Sequence, residues 1–226
     1  RIGIDTDHHT YLEAAQSAAD LGVAWVALHA RTAAQMYEGK ADWTAIARLV
    51  EHLKPSGVPV LGNGDIWTGS DAVSMVEQSG CAGVVVGRGC LGRPWLFGQI
   101  RASFAGESVP NEPSAGIIVD LMRRHADLLV QMHGDEFRGC QEMRKHMAWY
   151  LKGVVAGSET RGALSLISSL KEFDDLLSTI NRDQVLDEEL AKLPRGRTTP
   201  DRRVNLPDGW LNSQSMSQTE VETVRE

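Results

Sequence analysis

The chain has 226 residues, 42% of them apolar, enough to bury one substantial core or two small ones. Its longest apolar runs, such as residues 81–86, fall far short of the roughly 20 residues a spanning helix needs, so no membrane segment is expected. A formal net charge of −7 excludes nucleic-acid binding through bulk electrostatics and leaves only a local basic patch for that purpose.

The chain opens on Arg1-Ile2-Gly3-Ile4-Asp5, with neither a signal pattern nor an initiating methionine, and is read as lacking an N-terminal part. Up to about residue 108, short β-rich runs alternate with helical patterns, as a parallel sheet built from βα units requires. Helices are predicted at Thr10–Leu21, Asp42–Leu53, Ser70–Ser79 and Pro94–Phe104. Ser70 and Asp71 are the expected N-cap side chains, and Gly22, Gly57 and Gly80 the stops. Strands are predicted at Ala24–His29, Val58–Gly62 and Gly83–Gly87, each a near-continuous apolar run of the kind covered on both faces.

Beyond the loop at 106–113 the pattern turns wholly helical. Ile117, Ile118, Leu121, Met122, Leu128, Leu129 and Met132 recur at helical spacing, as do Leu164, Ile167, Leu170, Phe173, Leu177 and Ile180. From about residue 195 the sequence is polar, and a mobile tail is expected over 196–226. Three βα units cannot close a barrel that needs about eight, so the choice lies between a section of such a barrel and a small doubly wound domain. The polar, glycine-rich sequence follows the strands directly, at their carboxyl ends, where barrel enzymes place their sites.

Three such loops carry candidate chemistry. In Leu28-His29-Ala30-Arg31-Thr32, strand alternation can aim both His29 and Arg31 into a barrel mouth; a structural histidine beside a solvated arginine is the alternative. In Leu61-Gly62-Asn63-Gly64-Asp65-Ile66 the glycines let backbone N–H groups approach an anion, although Asn-Gly is also a common turn. In Val86-Gly87-Arg88-Gly89 through Gly92-Arg93-Pro94-Trp95, glycine-rich backbone leads into a helix start, with Arg88 available to pair with phosphate. The last two loops together match the phosphate site that barrels build after their final strands; tight turns remain the other reading. Cys81, Cys90 and Cys140 lack CxxC spacing, which argues against a disulfide framework or a zinc site and fits structural cysteines in a reducing, cytoplasmic setting.

These runs, with Gly39-Lys40-Ala41-Asp42-Trp43 and Arg144-Lys145-His146 through Trp149-Tyr150, resemble the bacterial tRNA-dihydrouridine synthases in order and spacing over about residues 1–180. The resemblance implies an α/β fold, the C-terminal part of a TIM (β/α)8 barrel over 1–108 and an all-α, tRNA-binding domain over 109–195. It implies FMN as cofactor, NADPH as reductant and tRNA as substrate, with no metal and a monomeric full-length protein. His29, Asn63, Gly64, Asp65, Gly87 and Arg88 would hold the flavin, with the phosphate on Gly87 and Arg88. Arg31 would face the target nucleotide, and Lys145 and His146 the tRNA. For the run at 144–150, an amphipathic helix with a solvated basic face and Met147 and Trp149 or Tyr150 in the core is the alternative.

In that family a cysteine in an Asn-x-Gly-Cys-Pro motif acts as the acid, and a lysine contacts the flavin. The chain contains no such motif, so the acid and the lysine are expected upstream of Arg1, and the chain alone is expected to be inactive, to bind FMN weakly and to aggregate. Two other readings stand beside this one: an FMN barrel acting on a small molecule, akin to dihydroorotate or dihydropyrimidine dehydrogenases, and a non-catalytic RNA-binding fragment or chaperone.

Overall fold

The computed structural model describes residues 1–187, 189–190, 193–196 and 204–212. Of the tail expected over 196–226, residues 197–203 and 213–226 lie outside the described residues. Three strands, β1 (Val26–His29), β2 (Val60–Asn63) and β3 (Gly83–Val85), form one parallel sheet in the order β1-β2-β3. Four helices belong to this half: α1 (Tyr11–Asp20), α2 (Trp43–Leu53), α3 (Gly69–Ser79) and α4 (Leu96–Ala105). Five more follow, α5 (Ala115–His133), α6 (Glu136–Arg144), α7 (Met147–Tyr150), α8 (Ser158–Leu164) and α9 (Leu170–Leu177). The architecture is thus α/β, with barrel-type βα units followed by an all-helical region. Among the described residues, no helix is long and apolar enough to cross a membrane.

The register fixes which side chains can form a site. Leu28, Gly62 and Val84 lie in one cross-strand row, and His29, Asn63 and Val85 in the next. Successive side chains in a strand point to opposite faces, so the two rows face opposite ways. The first row faces the helices: a Cβ on Gly62 would lie 2.5 Å from Met75 Sδ and 3.2 Å from Ile46 Cδ1. The second therefore projects to the far side, at the carboxyl ends of the strands. The expected cover on both faces is not what the structure shows. Ala27 is exposed and all of β3 is half-buried, because the helices cover the face that carries Gly62 and the cavity side stays partly open.

Helix ends follow from local chemistry, with one correction. The N-cap of α3 is Thr68, not Ser70 or Asp71. Its hydroxyl accepts from the Asp71 N–H, and the Asp71 carboxylate accepts in return from the Thr68 N–H at 2.8 Å, a capping box that starts the helix at Gly69, one residue earlier than expected. Asp42 caps α2 through the Thr44 N–H, and Gly80 closes α3 in the left-handed conformation.

Two hydrophobic cores result. Leu28, Ile46, Leu49, Met75 and Leu96 centre the first, while Ile118, Met122, Met143, Leu151 and Phe173 centre the second. In α5 the apolar spacing covers two faces: Ile118, Met122 and Leu129 are buried, whereas Ile117, Leu128 and Met132 are exposed. The run Leu164–Ile180 is divided between α8 and α9, since the Ser169 hydroxyl takes the Glu172 N–H and starts a new helix. The run 144–150 is broken between α6 and α7, with Met147 and Tyr150 buried and Trp149 half-buried.

The two cores meet through polar and backbone contacts. Buried Arg93 donates to Glu112 at 2.7 Å and to the Trp67 carbonyl at 2.9 Å, and Glu112 also accepts from Trp95 Nε1 at 2.7 Å and from Gln99 Nε2 at 3.1 Å. A buried carboxylate so fully partnered is tolerated where a lone one would not be. Gly92, at φ +65°, lies directly against the Trp149–Tyr150 backbone, where a Cβ would fall 2.5 Å from the Tyr150 nitrogen. Gly92→Ala combines left-handed strain with a backbone clash and is expected to cost roughly 2–4 kcal/mol of stability, read from chemical denaturation; a change near zero would contradict the close approach.

Candidate functional site

At the carboxyl ends of the strands lies a cavity of about 160 Å³, lined among others by His29, Arg31, Asn63, Asp65, Gly87 and Arg88. Gly64 also lines it, so every residue singled out from the three loops reaches one space. His29 and Asn63 arrive on the shared strand row, and Asn63 Nδ2 donates to the Val85 carbonyl at 2.6 Å, tying β2 to β3 at the cavity floor. Gly64 sits at φ +131° where a Cβ would collide with Ala41 Cβ, and Asp65 follows at φ +56°. A non-glycine residue in the left-handed region carries strain that the surroundings must hold.

The hold is electrostatic. Nη2 of Arg31, a residue only 1% exposed, donates to both Asp65 carboxylate oxygens at 2.8 and 2.9 Å and to the Gly39 carbonyl at 2.8 Å. The Ala41 N–H adds a bond to Asp65 Oδ2 at 2.7 Å. Arg88 Nη2 lies 3.7 Å from the other oxygen of the same carboxylate. Two guanidinium groups therefore share one carboxylate, and positive charge is in excess at the cavity. Arg31 Nε and Nη1 are buried without a hydrogen-bond acceptor. Unsatisfied buried donors on a cation call for an anion or a polar partner.

Two aromatic residues that the sequence reading passed over complete the wall. The Arg88 guanidinium lies over the Tyr37 ring at 4.2 Å from its centroid and near the Trp67 ring at 5.2 Å. Stacking of this kind fixes a guanidinium plane without consuming its N–H donors. Aromatic residues inside the loops that follow β1 and β2 were the available signal. Arg88 also begins a 3₁₀ turn, Arg88–Cys90. Gly89 admits no side chain there, since a Cβ would strike the Ile66 carbonyl oxygen.

Burial, then the positive charges of Arg1, Arg31 and Arg88, lowers the His29 pKa to about 4, so its imidazole is neutral at pH 7. A neutral imidazole offers one donor and one acceptor, suited to a heterocycle rather than to an anion. The burial of Arg88, followed by the nearness of Arg31, draws its pKa downward too, which an arriving anion would relieve.

Lys145 and His146 lie apart from this cavity. Lys145 is exposed and paired to Glu142 at 2.7 Å. His146 faces an apolar groove with Phe97, Leu121, Arg124, His125 and Leu128, its ring 4.6 Å from that of His125. Burial lowers the pKa of both histidines, so neither supplies fixed positive charge at pH 7. Arg144 and Arg161 donate to backbone carbonyls and Arg123 pairs with Asp127 and Asp174, so these arginines brace the helical region.

Parallel βα units that gather glycine-rich turns, excess guanidinium charge and a neutral histidine at the ends of their strands define a barrel-type α/β protein with an electropositive cavity at its strand ends. The chain belongs to the dihydrouridine synthase (Dus) family, whose sequence model matches residues 1–187. It is 50% identical over 211 residues to a probable tRNA-dihydrouridine synthase of Mycobacterium leprae, covering 93% of this chain and 54% of that protein. A probable tRNA-dihydrouridine synthase of Mycobacterium tuberculosis H37Rv is likewise 50% identical, covering 93% of this chain and 53% of the relative. The tRNA-dihydrouridine synthase B of Pasteurella multocida is 34% identical over 172 residues, or 76% of this chain and 51% of that protein. The chain thus spans about half the length of these relatives.

The depressed His29 pKa has a thermodynamic consequence. The unfolded chain takes up this proton near pH 6.5 and the folded one only near pH 4, so His29 subtracts stability as pH falls through that window and subtracts nothing above it. In urea titrations from pH 7 to 4, His29→Asn should lose less stability than the parent protein; an identical pH dependence would mean that His29 is not held neutral.

Proposed function

We propose that this chain supplies the phosphate end of an FMN site and the tRNA-facing helical region of an enzyme that uses NADPH to reduce uridine to dihydrouridine in tRNA. The observation that carries the reading is the convergence of His29, Asn63, Asp65, Gly87 and Arg88 on one cavity with guanidinium charge in excess. Pockets that enclose a whole cofactor measure about 300–1,000 Å³. At about 160 Å³ this one suits the phosphate and adjoining ribityl chain. The orphaned donors of Arg31 and the Cβ-free surface at Gly89 are features that fit such a group.

In this reading Arg88, held flat by Tyr37, pairs with the phosphate beside the Gly87 backbone, and Asn63, Gly64 and Asp65 follow the ribityl chain. His29, neutral, hydrogen-bonds the flavin's ring or ribityl region. Arg31 braces Asp65 and lines the cavity beside which a target nucleotide would sit. Bound flavin supplies hydride transfer to the uracil ring of a nucleotide drawn out of its stack. None of the three cysteines is proposed as the acid: Cys81 and Cys140 are buried, and Cys90 donates to the Gly87 carbonyl at 3.1 Å with its thiol pKa raised by burial.

Residues 1–108 are proposed as the flavin-binding part and 109–195 as the tRNA-binding part, acting in the cytoplasm. Because the whole chain carries a net charge of −7, the helical region would meet tRNA through local features, the exposed Lys145 ammonium and the groove containing His146 and Arg124, rather than through a broad basic field. The presence of this helical region is what favours tRNA over a small-molecule substrate.

Arg88→Ala in the full-length protein should weaken FMN binding by roughly ten- to a hundredfold and leave riboflavin binding nearly unchanged, measured by quenching of flavin fluorescence. Equal affinity of parent and variant for FMN would rule out Arg88 as the phosphate ligand.

A further inference from the structure

We propose that Leu193–Gly196 is a strap that positions Arg88, so that the helical region, through a segment beyond the family match, sets the affinity of the cavity for a phosphate-bearing cofactor. The family match ends at residue 187. Three observations place the strap. Lys152, just after α7, donates its ammonium to the Pro194 carbonyl at 2.7 Å and to the Leu193 carbonyl at 3.4 Å, fixing the segment to the helical region. Arg195 is 3% exposed and donates Nη1 to the Trp149 carbonyl, directly beside the point where Gly92 meets the Trp149–Tyr150 backbone. Gly196, at φ +81°, lies on the stem of Arg88: a Cβ there would stand 3.2 Å from Arg88 Cδ, 3.3 Å from Cγ and 3.5 Å from Leu91 Cδ1.

Arg88 is therefore bounded on different sides by the Tyr37 ring, by the Asp65 carboxylate and by the Gly196 backbone. The ring and the carboxylate orient its head, and the strap limits where its stem can go. Arg195 Nε and Nη2 are buried without acceptors, an arrangement that costs stability and holds only because the neighbouring packing fixes it. Gly196 and Arg195 are positioning residues: neither lines the cavity, and their effect on a ligand passes through Arg88.

This inference rests on the proposed FMN site, and phosphate dependence separates the two. In the full-length protein, FMN and riboflavin affinities would be measured for the parent, Gly196→Val, Lys152→Met and Arg88→Ala, and for Gly196→Val combined with Arg88→Ala. Gly196→Val introduces a branched side chain at a left-handed position against the Arg88 stem. It should weaken FMN by about tenfold and leave riboflavin unchanged. Lys152→Met, which frees the strap without touching its backbone, should shift FMN affinity in the same direction by a smaller factor. Once Arg88 is alanine, Gly196→Val should add no further effect, as expected of two residues acting through one interaction. FMN affinity equal to the parent in both strap variants, or an equal loss for FMN and riboflavin, would overturn the strap while leaving the site intact. A parent protein that binds FMN no more tightly than riboflavin would overturn the phosphate site and the strap with it.

Discussion

Asp65 is the group on which the mouth of this molecule depends. One carboxylate receives the Arg31 guanidinium from the segment after β1 and the Ala41 N–H from further along the same connection, and faces Arg88 from the loop after β3. Asp65 itself follows β2, so all three strand ends are tied through a single side chain. The tie holds Asp65 at φ +56° and fixes Arg31, almost fully buried, beside it. Removing one member of such a pair strands the other, typically at a cost of about 3–5 kcal/mol. Because the two guanidinium groups share one negative charge, the brace that holds Asp65 also leaves the site electropositive.

The same economy recurs at the junction of the two cores. Gly92 closes the loop after β3 against the α7 backbone, Glu112 collects Arg93, Trp95 and Gln99, and the 193–196 segment crosses from Lys152 to the stem of Arg88. Each contact comes from a residue close to the loop that carries Arg88. A displacement of the helical region would thus reach the cavity through backbone packing within a few residues.

Much of this was legible in the sequence, for reasons that can be named. Continuous apolar runs mark β1 to β3 because parallel strands need apolar cover, and His29, Asn63 and Arg88 follow them at the ends where barrel sites form. The start of α3 was misread because both Ser70 and Asp71 cap well, and only the reciprocal bond with Thr68 decides between them. Tyr37 and Trp67 stayed hidden because stacking on a guanidinium has no sequence period. The pairing of Arg31 with Asp65 was not legible, since nothing in Ala30-Arg31-Thr32 announces a carboxylate 34 positions later. The broken helix at 144–150 escaped notice because its apolar residues keep helical spacing across the break at Lys145 and His146.

The most direct test of the account is a crystal structure of the full-length protein with FMN. The account requires the cofactor phosphate to lie within hydrogen-bonding distance of the Arg88 guanidinium and the Gly87–Gly89 backbone, with the Asp65 carboxylate still bound by Arg31. A phosphate held elsewhere, or a flavin that leaves the row of His29 and Asn63 untouched, would contradict it.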